Sequence, residues 1–285
     1  MSFLKDESGQ VRLVWRLILI VLLYVSVAVL LRFIPIRILT AYLAGQGTLQ
    51  TNALEIATEI IIENPAWSTA LGIIFGLTGL FIVWILISKV EKTKFDWKAV
   101  GLDWKRNSLL MILLGALLAV LLCFGSIFTA YLLSATDISQ IPIRINVSIP
   151  IFLLKLALFL AMGFGEEIVF RGYIQTRLVN RLRATWGILI AAVIFVLLHQ
   201  IFHNLSPITI LSGVMLWFTI GMLYHLSRSL YLCIFYHGVM NTLLNTLAFT
   251  FGEIESMIVH AFMLLFVVVI AIFMKKFQTI KRNNL

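Results

Sequence analysis

Apolar runs about as long as a bilayer is thick recur along this chain, and that constraint precedes every other. About 20 apolar residues cross the hydrocarbon layer as a helix. On that measure the sequence predicts spans at roughly 12–33, 67–88, 108–134, 150–181, 185–203, 207–227, 229–250 and 257–275. The expected fold class is therefore all-α: a polytopic membrane helical bundle of about eight transmembrane helices, with 1–285 as a single membrane domain. Composition agrees, since only 12% of residues are charged and 61% are hydrophobic, against about 25% charged in soluble domains.

The net charge of +9 would suit nucleic acid, but the basic residues sit mainly beside or between the apolar runs. There they report topology and contact with anionic membrane lipids, so no nucleic acid is expected as a partner. Lys5, Arg12 and Arg16 precede the first run, and Lys89, Lys92, Lys94, Lys98, Lys105 and Arg106 separate the second from the third. Arg177, Arg181 and Arg183 follow the fourth, Arg228 the sixth, and Lys275, Lys276, Lys281 and Arg282 end the chain. Eight spans put all of these on one side, which places the N and C termini in the cytoplasm. Arg32, Arg37, Arg144 and Lys155 fall on the other face with Glu55, Glu59, Glu63, Glu253 and Glu255. The charges before the first run resemble a signal peptide, but no small-residue cleavage site follows, so the run reads as a retained span. Short loops and compact size suit a bacterial cell membrane.

Residues 37–66 carry Glu55, Glu59 and Glu63 four apart, the pattern of an amphipathic helix on the outer surface with a solvated acidic face. The loop "KVEKTKFDWKAVGLDWKRN" interleaves lysines with Phe95, Trp97 and Trp104, as an interfacial helix anchored among headgroups does. Cys123 and Cys233 form no CxxC pair and read as small buried residues.

Strongly polar residues inside the runs are few and fall in the second half. Glu166, Glu167 and Arg171 lie in "FLAMGFGEEIVFRGYIQTRL"; His199 and His203 lie in and at the end of the fifth run; His237, Asn241 and Asn245 lie in the seventh. Ionisable groups at bilayer depth cost a few kcal/mol or more, so they face a protein interior and default to function. Helical spacing sorts them, because residues four apart share a face. Glu167 and Arg171 stack as an ion pair, while Glu166 is turned about 100° away and left as the freer carboxylate, suited to general-base work. Phe195 shares a face with His199 and can fix its ring, and His237 shares one with Asn241.

Depth gives a check. Glu166 lies about 22 Å along its helix from Arg181, and His199 about 24 Å from Arg183, so the two can meet at one level. His237 is only about 13 Å from Arg228, which requires a tilted helix or one that starts from a sunken loop. Singly, each polar residue has a structural explanation, such as a satisfied histidine, an ion pair or interhelical amide glue. Together, at these spacings, they point to a site.

"EEIVFR", "FVLLH" and "HGVMN" resemble the motifs EExxxR, FxxxH and HxxxN/D of the CPBP (Abi) family. That family comprises type II CAAX prenyl endopeptidases and bacteriocin-processing and self-immunity proteins. The tyrosine in "FRGY" also resembles the usual continuation of the first motif. The resemblance covers roughly residues 150–250, the expected catalytic core helices. It implies an intramembrane endopeptidase in which Glu166 and His199 activate the attacking water. By the same resemblance His237 and Asn241 stabilise the oxyanion, while Glu167, Arg171 and Phe195 support them. A glutamic-type enzyme needs no metal and no cofactor. A zinc-dependent version would draw its ligands from Glu166, His199 and His237, on three helices and without HExxH. The expected partner is a peptide or protein with a membrane-associated segment, of CAAX or leader-peptide type. Two rivals use the same residues differently: an immunity protein that binds without turnover, and a proton-coupled transporter, which the lack of evident inverted repeats disfavours.

Overall fold

Helices stand where the apolar runs predict them. The computed structural model describes residues 4, 10–134, 147–201, 203–246 and 253–283, and no β-strand forms among them. The helices are α1 (Leu13–Gly45), α2 (Gln50–Thr58), α3 (Pro65–Val90), α4 (Ser108–Ser134), α5 (Ile149–Arg181), α6 (Ala184–Gln200), α7 (Pro207–Ser227), α8 (Leu230–Thr246) and α9 (Glu253–Asn283). Five of these, α1, α3, α4, α5 and α7, are long and apolar enough to cross a membrane. Helix α6 and the Ser256–Val269 part of α9 are shorter apolar helices. The chain is an integral, multi-pass membrane protein. Of the residues used above for orientation, Lys5 and Arg144 lie outside the described residues, as do the side chains of Glu255, Lys275, Lys276, Lys281 and Arg282.

Three departures from the sequence reading have physical causes. Helix α1 does not stop near residue 33 but runs through Pro35 to Gly45. Proline removes one backbone bond and favours a stop, yet Ile36 beyond it packs with Ala57 and Ile61, and Leu39 and Leu43 join the same cluster. The surface helix expected over 37–66 therefore shortens to α2 with a wide turn at Glu59–Glu63. Ala53, Ala57 and Ile61 face inward while Glu55, Glu59 and Glu63 stay exposed. In α5, the stretch Ile168–Gln175 opens into i→i+5 bonding, a π-type widening of the kind often found at functional sites.

Close backbone contact sets the order of the central layer. A Cβ at Gly79 would lie 2.8 Å from the Gly165 carbonyl oxygen, and one at Gly165 2.8 Å from the Gly76 Cα. On the other flank of α5, a Cβ at Gly238 would meet the Leu160 Cα at 2.9 Å. Glycines thus bring α3 and α8 against α5, the small-residue packing that membrane helices use.

Of the two arrangements the depth argument allows, a tilted helix or a start from a sunken loop, the covered start of α8 favours the second. Arg228 takes a left-handed conformation (φ 54°) and ends α7, and the Leu230 amide, wholly buried, donates to the Gly101 carbonyl at 2.8 Å. The Tyr231 hydroxyl donates to the Leu102 carbonyl at 2.9 Å. Helix α8 thus begins beneath the 96–102 segment, whose turn Trp97–Val100 is capped by Asp96 and closed by Gly101 at φ 80°.

At the same end, one carboxylate ties three helices together. Glu91 accepts from Arg16 at 2.8 Å, from Arg177 at 2.8 and 3.2 Å, and from the Tyr173 hydroxyl at 2.9 Å. Burial alone pushes the Glu91 carboxyl up, but the Arg177 hydrogen bonds and charge, the Tyr173 bond and the Arg16 charge outweigh it and hold it below the ordinary carboxylate range. A depressed folded-state value adds stability above the unfolded value of about 4.3, and the gain is lost as pH falls through the depressed value. Glu91→Gln leaves two arginines facing a neutral amide, a loss of about 3 kcal/mol. Thermal unfolding in detergent should show a lower Tm for the variant at pH 7, with the gap to the unmodified protein narrowing below about pH 4.

Candidate active site

Helix α5 delivers two adjacent carboxylates just before it widens. Glu167 is completely buried; its Oε2 pairs with Arg171 Nε at 3.2 Å and its Oε1 meets His237 Nδ1 at 3.0 Å. The first contact is the four-residue stack the sequence predicts. The second reaches across to α8, where Gly163 leaves room beside the imidazole: a Cβ there would lie 3.4 Å from the His237 Cβ. Arg171 places its guanidinium carbon 4.8 Å from the Phe195 ring and 4.6 Å from the Trp217 ring. The charge is thus held between two aromatic faces as well as by Glu167.

Glu166 has a different environment. Its Oε2 is buried, makes no hydrogen bond within the described residues, and stands 3.5 Å from His237 Nε2. The Tyr24 hydroxyl of α1 approaches the same carboxylate. His237 therefore lies between the two glutamates, Nδ1 toward Glu167 and Nε2 toward Glu166, with Trp217 4.8 Å from its ring.

His199, on α6, is held by its own turn. Its Nδ1 lies 2.9 Å from the Phe195 carbonyl, and its ring centroid lies 4.4 Å from the Phe195 ring. A carbonyl only accepts, so in the neutral ring Nδ1 carries the proton and Nε2 is left with a lone pair. Beyond it, His203 stacks at 6.4 Å. Burial, then the proximity of His199 and Arg32, lowers the His203 imidazole, so it is neutral near pH 7.

Glu166 and His199 line one cavity of about 430 Å³ bounded by α1, α3, α5 and α6. Tyr24, Phe75 and Phe170 form its inner wall; Arg32, Ser68, His203 and Asn245 form the end farthest from the Glu91 clamp. The structure thus brings together Glu166, Glu167, Arg171, Phe195, His199 and His237. Asn241 sits half-buried one turn past His237, with its carbonyl accepting from the Asn245 amide at 3.1 Å; the cavity wall includes Asn245 and not Asn241. Tyr24 and Trp217 escape sequence reasoning. Each is one aromatic residue in an apolar run, and no spacing sets it apart from ordinary core or interface aromatics.

The residues do not fit a zinc site in this arrangement. Among the described residues no three His, Cys, Asp or Glu side chains are grouped to hold a metal ion. Of the set Glu166, His199 and His237, the last has both ring nitrogens turned to carboxylates.

Residues 148–243 match the family model described as type II CAAX prenyl endopeptidase, Rce1-like. The matched segment runs from the start of α5 nearly to the end of α8 and carries every residue of the glutamate–histidine cluster. No curated protein matches the chain.

Glu167 and Glu166 differ in what their loss leaves behind. Glu167→Ala strands a buried guanidinium and releases His237, a cost of about 3–5 kcal/mol. Glu166→Gln keeps an isosteric side chain whose oxygen can still accept from the Tyr24 hydroxyl, and gives up only the charge 3.5 Å from His237 Nε2. Thermal unfolding in detergent should show a large fall in Tm for the first and a small change for the second.

Proposed function

We propose that the chain hydrolyses a peptide bond of a membrane-associated substrate through a water held between Glu166 and His199, a reading supported by the match of residues 148–243 to the type II CAAX prenyl endopeptidase family model. The observation that carries this reading is the cavity that Glu166 and His199 both line, with His199 Nδ1 committed to the Phe195 carbonyl and its Nε2 left with a lone pair. Glu166 takes one proton from the water and His199 Nε2 orients it, so that the oxygen attacks the carbonyl carbon. The bond to nitrogen then breaks, and the proton passes from Glu166 to the departing amine; one acid and one amine result.

The developing oxyanion needs donors aimed at it. His237, fixed by Glu167, supplies one from Nε2 when that atom carries a proton. The second comes from α8 beyond His237, where Asn245 lines the cavity and Asn241, off its wall, holds the Asn245 amide through its backbone carbonyl. Arg171, gripped by Phe195, Trp217 and Glu167, keeps Glu167 in place and so keeps the His237 ring in register. No step runs through a metal ion.

Three measurements test this. Glu166→Gln and His199→Ala should each retain a folded, monodisperse protein in detergent and lose at least about 100-fold in turnover; full turnover in either ends the assignment. Dialysis against a chelator strong enough to strip zinc should leave the rate unchanged, and loss with recovery on adding zinc would overturn the glutamic-type reading. Substrates should emerge from peptidomics of membranes carrying the intact protein or Glu166→Gln, as fragments present only with the former.

A further inference from the structure

Tyr24 reaches the site from outside residues 148–243, the segment that matches the family model. It belongs to α1 and shares an inward stripe with Arg16 and Ile20 at four-residue spacing. Arg16 is bound to Glu91 at 2.8 Å, Ile20 is wholly buried, and Tyr24 is 8% exposed. The Tyr24 ring packs 5.1 Å from Phe75 of α3 and edge-on 5.4 Å from Phe170 of α5. A phenylalanine would pack there as well, so it is the hydroxyl that needs a reason. A buried phenol requires a hydrogen-bond partner, and the Glu166 carboxylate takes that place on the same cavity wall.

Glu166 has a competing neighbour. Its Oε2 stands 3.5 Å from His237 Nε2, longer than an ordinary hydrogen bond. Closing that gap would join the carboxylate to a charged imidazole, and the base and the oxyanion donor would be lost together. We propose that Tyr24 is a positioning residue for Glu166: its hydroxyl donates to one carboxylate oxygen, holds the group at the cavity wall and keeps it from collapsing onto His237. This rests on the proteolytic reading of Glu166. An ionised carboxylate has about four lone-pair sites, so one donor leaves others for the water. The phenol keeps its proton throughout, while the water's proton goes to Glu166 and then to the amine. Hydrogen bonds to a charged acceptor are among the strong ones, and walls made by Phe75, Phe170 and Leu198 leave few other groups to compete for this one. Helix α1 thereby becomes part of the site. Arg16 is eight residues from Tyr24, about 12 Å along the helix, so the Glu91 clamp sets the level at which the phenol meets α5.

The contact is tested without turnover by infrared difference spectroscopy on the full-length protein in phosphatidylcholine nanodiscs, with carbon-13 at Cζ of Tyr24 alone. The phenol C–O stretch is higher for a hydroxyl that only donates than for one that also accepts. It should stand at the donor-only frequency and fall in Glu166→Ala, where water replaces the carboxylate; the same frequency in both proteins overturns the proposal. The role is tested by rate. Tyr24→Phe keeps both ring contacts, so its Tm in detergent should match that of the unmodified protein. Its release of substrate fragments from membranes, followed by peptidomics, should be about tenfold slower. 4-Aminophenylalanine in place of Tyr24 donates from the same position and should restore part of the rate, a rescue that packing alone would not give. Full-rate release by Tyr24→Phe, or a loss without rescue, overturns the positioning role and leaves the proteolytic reading standing. A stretch that falls in Glu166→Ala, with no fragments released by the unmodified protein, sinks the proteolytic reading and the role with it, and leaves only the contact.

Discussion

A carboxylate with no exposure, Glu167, is the contact on which the rest of the bundle depends. A charge at bilayer depth is tolerated only when other groups share it. Here Arg171 takes one oxygen and His237 the other. The pairing therefore dictates which helices meet: α5 must face α8 closely enough for His237 to reach, and α6 and α7 must bring Phe195 and Trp217 around Arg171. A helix pair held by dispersion alone could slide. One held by a desolvated ion pair has a single low-energy register, because any slip leaves a buried charge exposed to hydrocarbon.

That electrostatic requirement is compatible with tight packing only because the facing surfaces are small. Gly165, next to Glu166, touches the Gly76 backbone, and Gly238, next to His237, touches Leu160. In both cases the residue that bears the chemistry neighbours the residue that permits approach. The widening at Ile168–Gln175 then turns the rest of α5 so that Arg171 points into the aromatic pair, while Tyr173 and Arg177 reach Glu91 at the other end. One helix thus carries both the adjacent buried carboxylates and the groups that brace Glu91, within about three turns.

Much of this was legible in the sequence, and the limits have identifiable causes. Span positions follow from hydropathy, and the Glu167–Arg171 contact from spacing, because both are properties of a single helix. The sunken start of α8 was visible only as a mismatch, since the 13 Å estimate for His237 could not say what would cover Leu230. The role of Glu91 could not be read at all: its partners lie 75 and 86 residues away, and Arg16 and Arg177 look like any other residues flanking a span. Pro35 misled because local rules see the lost hydrogen bond and not the α2 contact that compensates for it. Tyr24 and Trp217 carry no periodic signal. The placement of Asn245 rather than Asn241 on the cavity wall depends on the rotation of α8, which a motif spacing does not specify.

The two ends of the bundle differ in a way that bears on how a peptide could be admitted without the fold coming apart. At the Lys-rich end, Glu91 satisfies Arg16, Tyr173 and Arg177 together and locks α1 to α3 and α5. At the other end α1 lacks any such lock: Arg32 has no carboxylate partner among the described residues, and the cavity occupies the space between α1, α3 and α6. Apolar packing holds α1 there instead, with Ile36, Leu39 and Leu43 against Ala57, Ile61 and Leu71. If Glu166 is the base proposed above, the open end of its hollow is bordered by contacts that tolerate sliding, while the charges that fix register stay at the other end.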